Sequence, residues 1–261
     1  MNSTIRKTKS PAVPVKSLKK ALDILSMLAF DDLAREGIAL TEVARRMAMP
    51  VNTVHNLLKT MAVCGYVSQT EIGTYRAGPR MTEMGRLNRL LASAAAPEMQ
   101  RHLAQLSDTL DEALVLAALV DGQRVTLCEA TPNQAVGVNA AVLESRSLYA
   151  VPTGRVLAAY AEPEALERLI ERNGLPGADW NDIHHRQALN HARAELRARG
   201  HEQIAPDGPD LVSFAVPVLG EGGRLLATLG CHAPLFRCDT QRQTAILARL
   251  KRASNDFSTL L

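Results

Sequence analysis

A short stretch near the front of the chain, PVNTVHNLLKTM at residues 50–61, carries two side-chain stripes of opposite character. Apolar residues stand at helical spacing on one stripe: Val54, Leu57, Leu58 and Met61. Polar residues repeat the same offsets on the other: Asn52, His55, Asn56 and Lys59. Such a helix can pack one side on a core and read base edges in the DNA major groove with the other. A solvated amphipathic helix has the same spacing, so the pattern alone leaves both interpretations open.

The charge of the chain is unevenly distributed. Residues 1–85 contain 12 Lys and Arg against 7 Asp and Glu, a balance of +5, whereas the remainder has 18 against 20, a balance of −2. Six of the seven lysines lie at or before Lys59. A basic front joined to a slightly acidic remainder favours contact with a polyanion by the front alone. A solvated basic surface is the alternative that charge by itself leaves open.

The segments around the polar stripe predict a winged helix-turn-helix. A first helix over residues 17–30, with Ser17 as N-cap, has one apolar stripe: Leu18, Ala21, Leu22, Leu25 and Leu28. Thr41 can cap a short second helix, and a tight turn then leads into the polar-striped helix. Strand-like runs at 66–70 and 74–77 flank Gly73 and predict a hairpin wing. Pro79 begins a further helical run, which carries a stripe of Met84, Leu87 and Leu91.

The remainder reads as a mixed α+β domain. A helix at 98–110 precedes two strand-like runs, ALVLAALV and RVTLCEA, which are joined by a turn at Asp121 and Gly122. Helical regions follow at 152–173 and 185–199. A second hairpin, LVSFAVPVL with RLLATLGCH across GEGG, leads to a closing helix at 238–257.

Composition excludes several classes of protein. With 46% hydrophobic and 22% charged residues the chain is globular rather than disordered. It has no apolar run of about 18 residues and no signal peptide, so we expect a cytoplasmic protein with no membrane partner. The four cysteines are scattered, and Cys231, His232 and Cys238 lack the close pairs and fourth ligand of a structural zinc site. We therefore expect neither a metal nor a cofactor.

Three segments of the front, SLKKALDILSMLA, LTEVARRMAMPVNTVHNLLKTMAVCGYV and GTYRAGPRMTEMG, resemble the winged helix-turn-helix of the IclR family of transcriptional regulators. LYAVPTGRVLAAY is similar to that family's segment at the entrance of the effector pocket, and GHEQIAPDGPDLVSFAVPVLGEGGRLLATLG to its late helix-to-strand region. The resemblance covers the chain from about Ser17. It implies an α+β chain with a basic arm at 1–16, a winged helix-turn-helix at 17–79, a linker helix at 80–97 and a GAF-like mixed α/β effector-binding domain at 98–261. It also implies dimers or dimers of dimers, and control by a small organic acid or aromatic compound.

For the DNA contacts, the pattern and the resemblance together give Thr41, Asn52, Thr53, His55, Asn56, Lys59 and Arg76. The family often has a basic residue and Ser at the front of the recognition helix, and Arg where Asn56 stands. We therefore expect this chain to have an operator sequence of its own.

For the effector pocket, the resemblance implies Tyr149, Val151, Thr153, Gly154, Asp207, Ser213, Gly230 and His232. Thr153 and Ser213 can donate to a carboxylate, Gly154 can offer a helix N-terminal N–H, and His232 can donate to an acid or be charged by it. Each also has a local interpretation, such as a helix cap for Thr153 and a strand hydrogen bond for Ser213. Arg155 is a further candidate carboxylate clamp, although its place on the helix also allows it to point away.

Parts of the sequence also allow two other classes of function, an enzyme and an effector-independent DNA-binding protein. Ser213, His232 and Asp207 can be written as a hydrolytic triad, and Cys128 as a thiol nucleophile. The sequence has no G-x-S-x-G elbow, no H-E-x-x-H and no phosphate-binding glycine loop, so we expect no enzyme. An effector-independent DNA-packing protein would not need the long non-basic second domain. We therefore expect a regulator whose partners are double-stranded operator DNA, a small effector and other copies of itself.

Overall fold

In the computed structural model, which describes residues 13–132, 147–205 and 211–261, the chain divides into two units after Arg86. The first unit contains helices α1 (Lys16–Phe30), α2 (Leu40–Arg46) and α3 (Val51–Val63), strands β1 (Val67–Gln69) and β2 (Tyr75–Ala77), and the start of helix α4 (Pro79–Ala95). β1 and β2 pair antiparallel, and Ile38 forms an isolated bridge to Tyr75. The predicted helix-turn-helix and hairpin wing are confirmed.

One small core holds the first unit together. Its fully or nearly fully buried members come from all three helices and the wing: Ile24, Leu28, Val43, Ala44, Val54, Leu58, Met61, Val67 and Tyr75. The turn between α2 and α3 places Ala48 in the left-handed region, with φ of +49°. Pro50 then stands at the N-cap of α3, so the chain changes direction within a few residues.

Three expectations for the first unit are corrected. Ser17 is not a cap, because α1 already begins at Lys16 after Val15. Thr41 lies inside α2, whose first turn is closed by the Ala39 carbonyl oxygen accepting from Glu42 and Val43. The apolar stripe of α1 is also covered only in part: Leu18 and Leu22 are 57% and 53% exposed. The core contacts this helix only from Ala21 onward, and its fully buried members on the helix are Ile24 and Leu28.

The second unit is built on a five-stranded sheet in the order β4-β3-β7-β6-β5, with every neighbouring pair antiparallel. Its strands are β3 (Ala113–Val120), β4 (Gln123–Ala130), β5 (Glu202–Ile204), β6 (Leu211–Leu219) and β7 (Leu225–Pro234). Its helices are α5 (Pro97–Leu110), α6 (Pro152–Tyr160), α7 (Pro163–Asn173), α8 (Arg186–Arg199) and α9 (Thr240–Leu260). Both predicted hairpins are confirmed, the first through Asp121 and Gly122 at φ of +48° and +74°.

Helices cover both faces of this sheet. α5 and α9 contribute Met99, Leu103, Ile246, Leu250 and Phe257 to a core on one face. α6, α7 and α8 contribute Val156, Leu157, Leu166, Leu169, Leu189 and Leu196 to a core on the other. Strand β3, which has a neighbour on each side in the sheet, is buried along all of its residues, which explains its unbroken apolar sequence.

Two details of the second unit differ from the sequence interpretation. The helical region at 152–173 is two helices, because the chain turns at Ala161 and Glu162 before Pro163 restarts the helix. Edge strand β5 was not predicted, since it has only three residues. Of the residues that the structure describes, none belongs to a helix long and apolar enough to cross a membrane.

Candidate functional site

The polar stripe of α3 faces solvent. Val54 and Leu58 are fully buried in the core of the first unit, which fixes the rotation of the helix about its axis. The residues of the opposite stripe are all exposed: Asn52, His55, Asn56 and Lys59. The stripe therefore presents two amides, an imidazole and an ammonium group to any partner of this face, a set that suits base edges and phosphates.

The other predicted DNA contacts are also exposed. Thr53 lies at the start of α3, Thr41 lies in the first turn of α2, and Arg76 lies on the wing opposite Ser68. On α2 itself, Glu42 accepts hydrogen bonds from Arg45 and Arg46 at 2.7 and 2.6 Å. These bonds lower the pKa of Glu42 to about 2, so the carboxylate stays ionised and holds both arginines close to α2.

In the second unit, Ser213 and His232 form a buried pair. They stand opposite each other on β6 and β7, and Ser213 Oγ lies 2.8 Å from His232 Nδ1. Their exposed fractions are 3% and 2%. Burial, helped by the positive charge of Arg124, lowers the pKa of His232 to about 4. Of the two roles considered for His232, the neutral hydrogen-bonding one therefore fits this environment, and the charged one does not.

Thr153 and Gly230 extend this pair. Gly230 lies two residues before His232 on the same face of β7, and a Cβ built on it would lie 2.5 Å from Thr153 Cγ2. Gly230 thus makes room for Thr153, which is fully buried in the first turn of α6. Thr153 does not cap that helix, since Val151 is the N-cap. Its Oγ1 instead accepts a hydrogen bond from Arg124 Nη1 at 2.9 Å.

These residues, Arg124, Thr153, Ser213, Gly230 and His232, are called here the sheet-face cluster. Arg124 is the member that sequence reasoning missed. The signal available in the sequence was a charged residue at the start of a strand-like run, just after the turn at Asp121 and Gly122. The partial burial of its side chain is visible only in the structure. Only the strand register shows which face of the sheet it joins.

Other predicted pocket residues build the support of α6. The Tyr149 hydroxyl donates to the Gly174 carbonyl oxygen at 3.0 Å, and its ring lies 6.5 Å from Trp180. Arg155 Nε donates to the Tyr149 carbonyl oxygen at 2.8 Å, and the guanidinium lies 5.5 Å from the Trp180 ring. Arg155 is thus engaged with backbone and indole, and no described contact joins it to the sheet-face cluster.

Val151 and Gly154 position the first turn of α6. Val151 is its buried N-cap, while Gly154 lies so close to Leu148 that a Cβ would stand 1.7 Å from the Leu148 carbonyl oxygen. The first-turn N–H groups at Thr153 and Gly154 have no acceptor within the helix, as in any α-helix. Asp207 lies outside the described residues.

The chemistry of these groups does not suit catalysis. An imidazole whose pKa is about 4 is a weak general base at neutral pH. Burial raises the pKa of the Cys128 thiol to about 11, so the nucleophilic thiolate is scarce. Within the described residues, no group of three or more His, Cys, Asp or Glu side chains could hold a metal ion.

Comparison with known proteins accounts for both units. A family model described as the IclR helix-turn-helix domain matches residues 17–71, and one described as the bacterial transcriptional regulator IclR C-terminal region matches residues 90–259. The HTH-type transcriptional regulator BhcR of Paracoccus denitrificans is 25% identical over 247 residues, which cover 94% of this chain and 86% of that protein. The transcriptional repressor IclR of Escherichia coli is 22% identical over 249 residues, covering 94% and 89%.

A solved structure of an IclR-family regulator from Rhodococcus sp. shares the fold, with a TM-score of 0.58 at 21% identity and coverage of 97% of this chain and 98% of that one. The relatives are named as regulators. That agrees with the exposed polar stripe of α3 in the first unit, and with His232 and Cys128 of the second, whose pKa values do not suit catalysis. The chain belongs to the IclR family of DNA-binding transcriptional regulators.

Proposed function

We propose that this regulator reads its operator with the polar stripe of α3 and responds to a small organic acid or aromatic compound bound at the sheet-face cluster. The observation that carries the first part is the burial of Val54 and Leu58, which turns Asn56 and Lys59 outward. We assign operator binding to residues 17–79, the linker to 80–97 and the effector to 98–261. The regulator acts where the DNA is, and we place it in the cytoplasm.

The DNA part is tested by selecting operators from a random pool with the full chain and with Asn56→Ala. Because a side-chain amide reads a base edge, the variant should select a more degenerate sequence at one position. Asn88→Ala is the matched control, since Asn88 is an exposed asparagine on α4. Identical selected sequences for wild type and Asn56→Ala would contradict the assignment of α3.

Lys59 is tested by the salt dependence of affinity for the selected operator. Each phosphate contact adds about one unit to the slope of log affinity against log salt. If Lys59 meets phosphate, Lys59→Ala should flatten the slope by about one unit. If it meets guanine, the variant should relax base preference instead. Lys251→Ala removes the same charge from an exposed position on α9, and it should change neither the salt slope nor the base preference. A Lys59→Ala protein that binds like the Lys251→Ala control counts against the proposal.

The effector part is tested by a thermal-shift screen of small acids and aromatic compounds, because a ligand of the native state raises apparent stability. Ser213→Ala and Thr153→Val should each weaken the compound found by about 1 to 3 kcal/mol, the cost of removing one donor. Effector and operator must also change each other's affinity by the same factor. Equal effector dissociation constants with and without operator DNA would exclude allosteric control of operator affinity.

The sequence stripe on the linker also suggests pairing between two copies of the chain. Met84 and Leu91 are 50% and 39% exposed on α4, and Leu18 and Leu22 are exposed on α1. Leu87, the third member of the predicted stripe, instead packs on the small core around Leu90. A twofold assembly would require a palindromic operator. Light scattering that finds a monomer at micromolar concentration with operator bound would contradict this assembly.

A further inference from the structure

Helix α2 carries a compact network of charged side chains. Glu42 lies in its first turn, and Arg45 and Arg46 follow at the i+3 and i+4 positions, which are neighbours on a helix surface. The Glu42 carboxylate accepts from Arg45 Nε and Nη2, each at 2.7 Å and through separate oxygens. It also accepts from Arg46 Nε at 2.6 Å, and Arg46 Nη1 lies 3.5 Å from Asp31 Oδ2 at the C-cap of α1. One carboxylate thus engages both arginines of this helix.

The charges of this network cancel. Asp31 and Glu42 supply two negative charges, and Arg45 and Arg46 supply two positive ones. The Arg45 side chain is 72% exposed, yet both of its contacts are made to the same carboxylate in the bidentate arrangement that guanidinium groups prefer. Helix α2 therefore offers two arginines to a partner without offering net positive charge.

The network lies on a helix that meets phosphate in proteins of this architecture. In a helix-turn-helix, the helix before the recognition helix crosses the DNA backbone. Thr41, which the sequence predicts as a DNA contact, stands four residues before Arg45, so the two side chains lie on the same face one turn apart. An unengaged arginine at this place would add a phosphate contact on DNA of any sequence, because every duplex presents the same backbone.

We infer that Glu42 is a specificity-determining residue, which keeps Arg45 and Arg46 from adding sequence-independent affinity for the DNA backbone. An arginine that turned to a phosphate would leave the Glu42 carboxylate beside the same backbone, and the repulsion between like charges offsets the new contact. This inference rests on the proposed role of the first unit in operator binding.

The effect falls mainly on DNA other than the operator. Binding to such DNA consists almost wholly of phosphate contacts, and nothing fixes the position of the protein along it, so a released arginine always finds a phosphate. On the operator, base contacts from α3 fix the position of α2, and they supply affinity that does not depend on its arginines. Glu42 therefore widens the gap between operator and non-operator affinity.

A purely structural role for Glu42 has a different signature. Exposed ion pairs at i+3 and i+4 spacing add only a little to helix stability. If that were their whole effect, removing the carboxylate would move the melting temperature slightly and leave the salt dependence of DNA binding unchanged. The salt dependence therefore separates the two roles.

The experiment measures the affinity of the full-length chain for its selected operator and for a shuffled duplex of the same length and composition. Fluorescence anisotropy gives both affinities at a series of salt concentrations. The central variant is Glu42→Gln, which removes the charge and keeps the size of the side chain. Glu36→Gln is the matched control, since it removes a negative charge from an exposed position of the same unit outside the network. Melting temperature and circular dichroism establish that each variant is folded.

Glu42→Gln should bind the shuffled duplex about fivefold to tenfold more tightly near 0.1 M salt, with a slope of log affinity against log salt that is steeper by about one unit. Its operator affinity should change by less than about threefold, so the ratio of the two affinities falls. Glu36→Gln should keep the wild-type slope and ratio. An unchanged slope on the shuffled duplex, an equal gain on both duplexes, or the same gain in Glu36→Gln overturns the inference.

Arg45→Gln shows whether the gain comes from a released arginine. In the Glu42→Gln background it should flatten the slope on the shuffled duplex by about one unit, and in wild type by much less, because Glu42 already engages Arg45 there. Equal flattening in the two backgrounds would mean that Arg45 contacts phosphate despite Glu42, which overturns the inference. Glu42→Ala, with the best helix-forming residue, takes the place of Glu42→Gln if that variant does not fold.

Failure of this inference can be told apart from failure of the proposed function. A wild-type chain that selects no operator from the random pool would remove operator reading by the first unit. A chain that selects an operator, and whose Glu42→Gln variant binds both duplexes as wild type does, would remove only the role of Glu42.

Discussion

Acidification should destabilise the second unit through His232. Burial and the nearby charge of Arg124 hold the pKa of this imidazole at about 4 in the folded chain, against an ordinary value of 6.5. Between these two values the unfolded chain binds a proton that the folded chain does not. His232 therefore lowers stability progressively as the pH falls below 6.5, and its effect is nearly complete at pH 4.

The size of the effect follows from the width of that window. Each pH unit within it costs about 1.4 kcal/mol, so the free energy of unfolding should drop by about 2 kcal/mol between pH 7 and pH 5 through this group alone. Completion of the titration near pH 4 brings the loss to about 3 kcal/mol. A loss of this size is a large fraction of the stability of an ordinary domain.

Urea unfolding followed by tryptophan fluorescence measures this loss. Trp180 is the only tryptophan of the chain and is 3% exposed, so its emission reports on the second unit. The difference in unfolding free energy between wild type and His232→Gln should change by about 2 kcal/mol from pH 7 to pH 5, because the variant has no imidazole to protonate. His191→Gln, at a side chain that is 77% exposed, is the control for losing a histidine.

The reasoning is refuted if the difference between wild type and His232→Gln is constant across this range. It is equally refuted if His191→Gln changes the pH dependence as much as His232→Gln does. Either result would mean that protonation of His232, whose pKa is lowered by burial, does not cause the loss of stability in acid.

Three further predictions concern packing and backbone strain. Ala48→Gly should stabilise the first unit by about 1 kcal/mol and raise its melting temperature, because glycine adopts the φ of +49° without strain. A lower melting temperature would contradict this. Gly230→Ala should cost about 1 to 3 kcal/mol in urea unfolding because its Cβ meets Thr153 Cγ2, and Thr153→Ser should recover part of that loss only in the Gly230→Ala background. Arg237→Ala should cost about 3 kcal/mol in the same assay, since it withdraws a partner at 2.8 Å from the buried carboxylate of Glu112; an unchanged unfolding midpoint would show that this pair adds nothing.

Local patterns in the sequence determined the architecture of the first unit. The two stripes of α3 were readable because a helix repeats every 3.6 residues, so residue type alone separates its buried face from its exposed one. The turn at Asp121 and Gly122 was readable for a similar reason, since both residues tolerate a positive φ. Such signals involve neighbours in sequence and need no knowledge of the rest of the chain.

Tertiary structure decided which residues meet. The α1 stripe has the right period, yet Leu18 and Leu22 remain exposed because only the packing of α3 and the wing determines how much of α1 is covered. Caps show the same limit: Thr41 is a good capping residue, but the backbone of Ala39 begins α2.

The candidate effector site shows the difference most clearly. Ser213 and His232 could be named from family resemblance, and their hydrogen bond follows from the register of β6 and β7. Arg124 could not be named, because it lies 29 residues before Thr153 in the chain and meets it only across the face of the sheet. Arg155 lies close to Thr153 in sequence, yet its guanidinium donates to the backbone carbonyl oxygens of Tyr149 and Asp179. Sequence determined the residue types and the local conformation, whereas strand register and helix packing, which join segments far apart in the chain, decided which charge lies in the site.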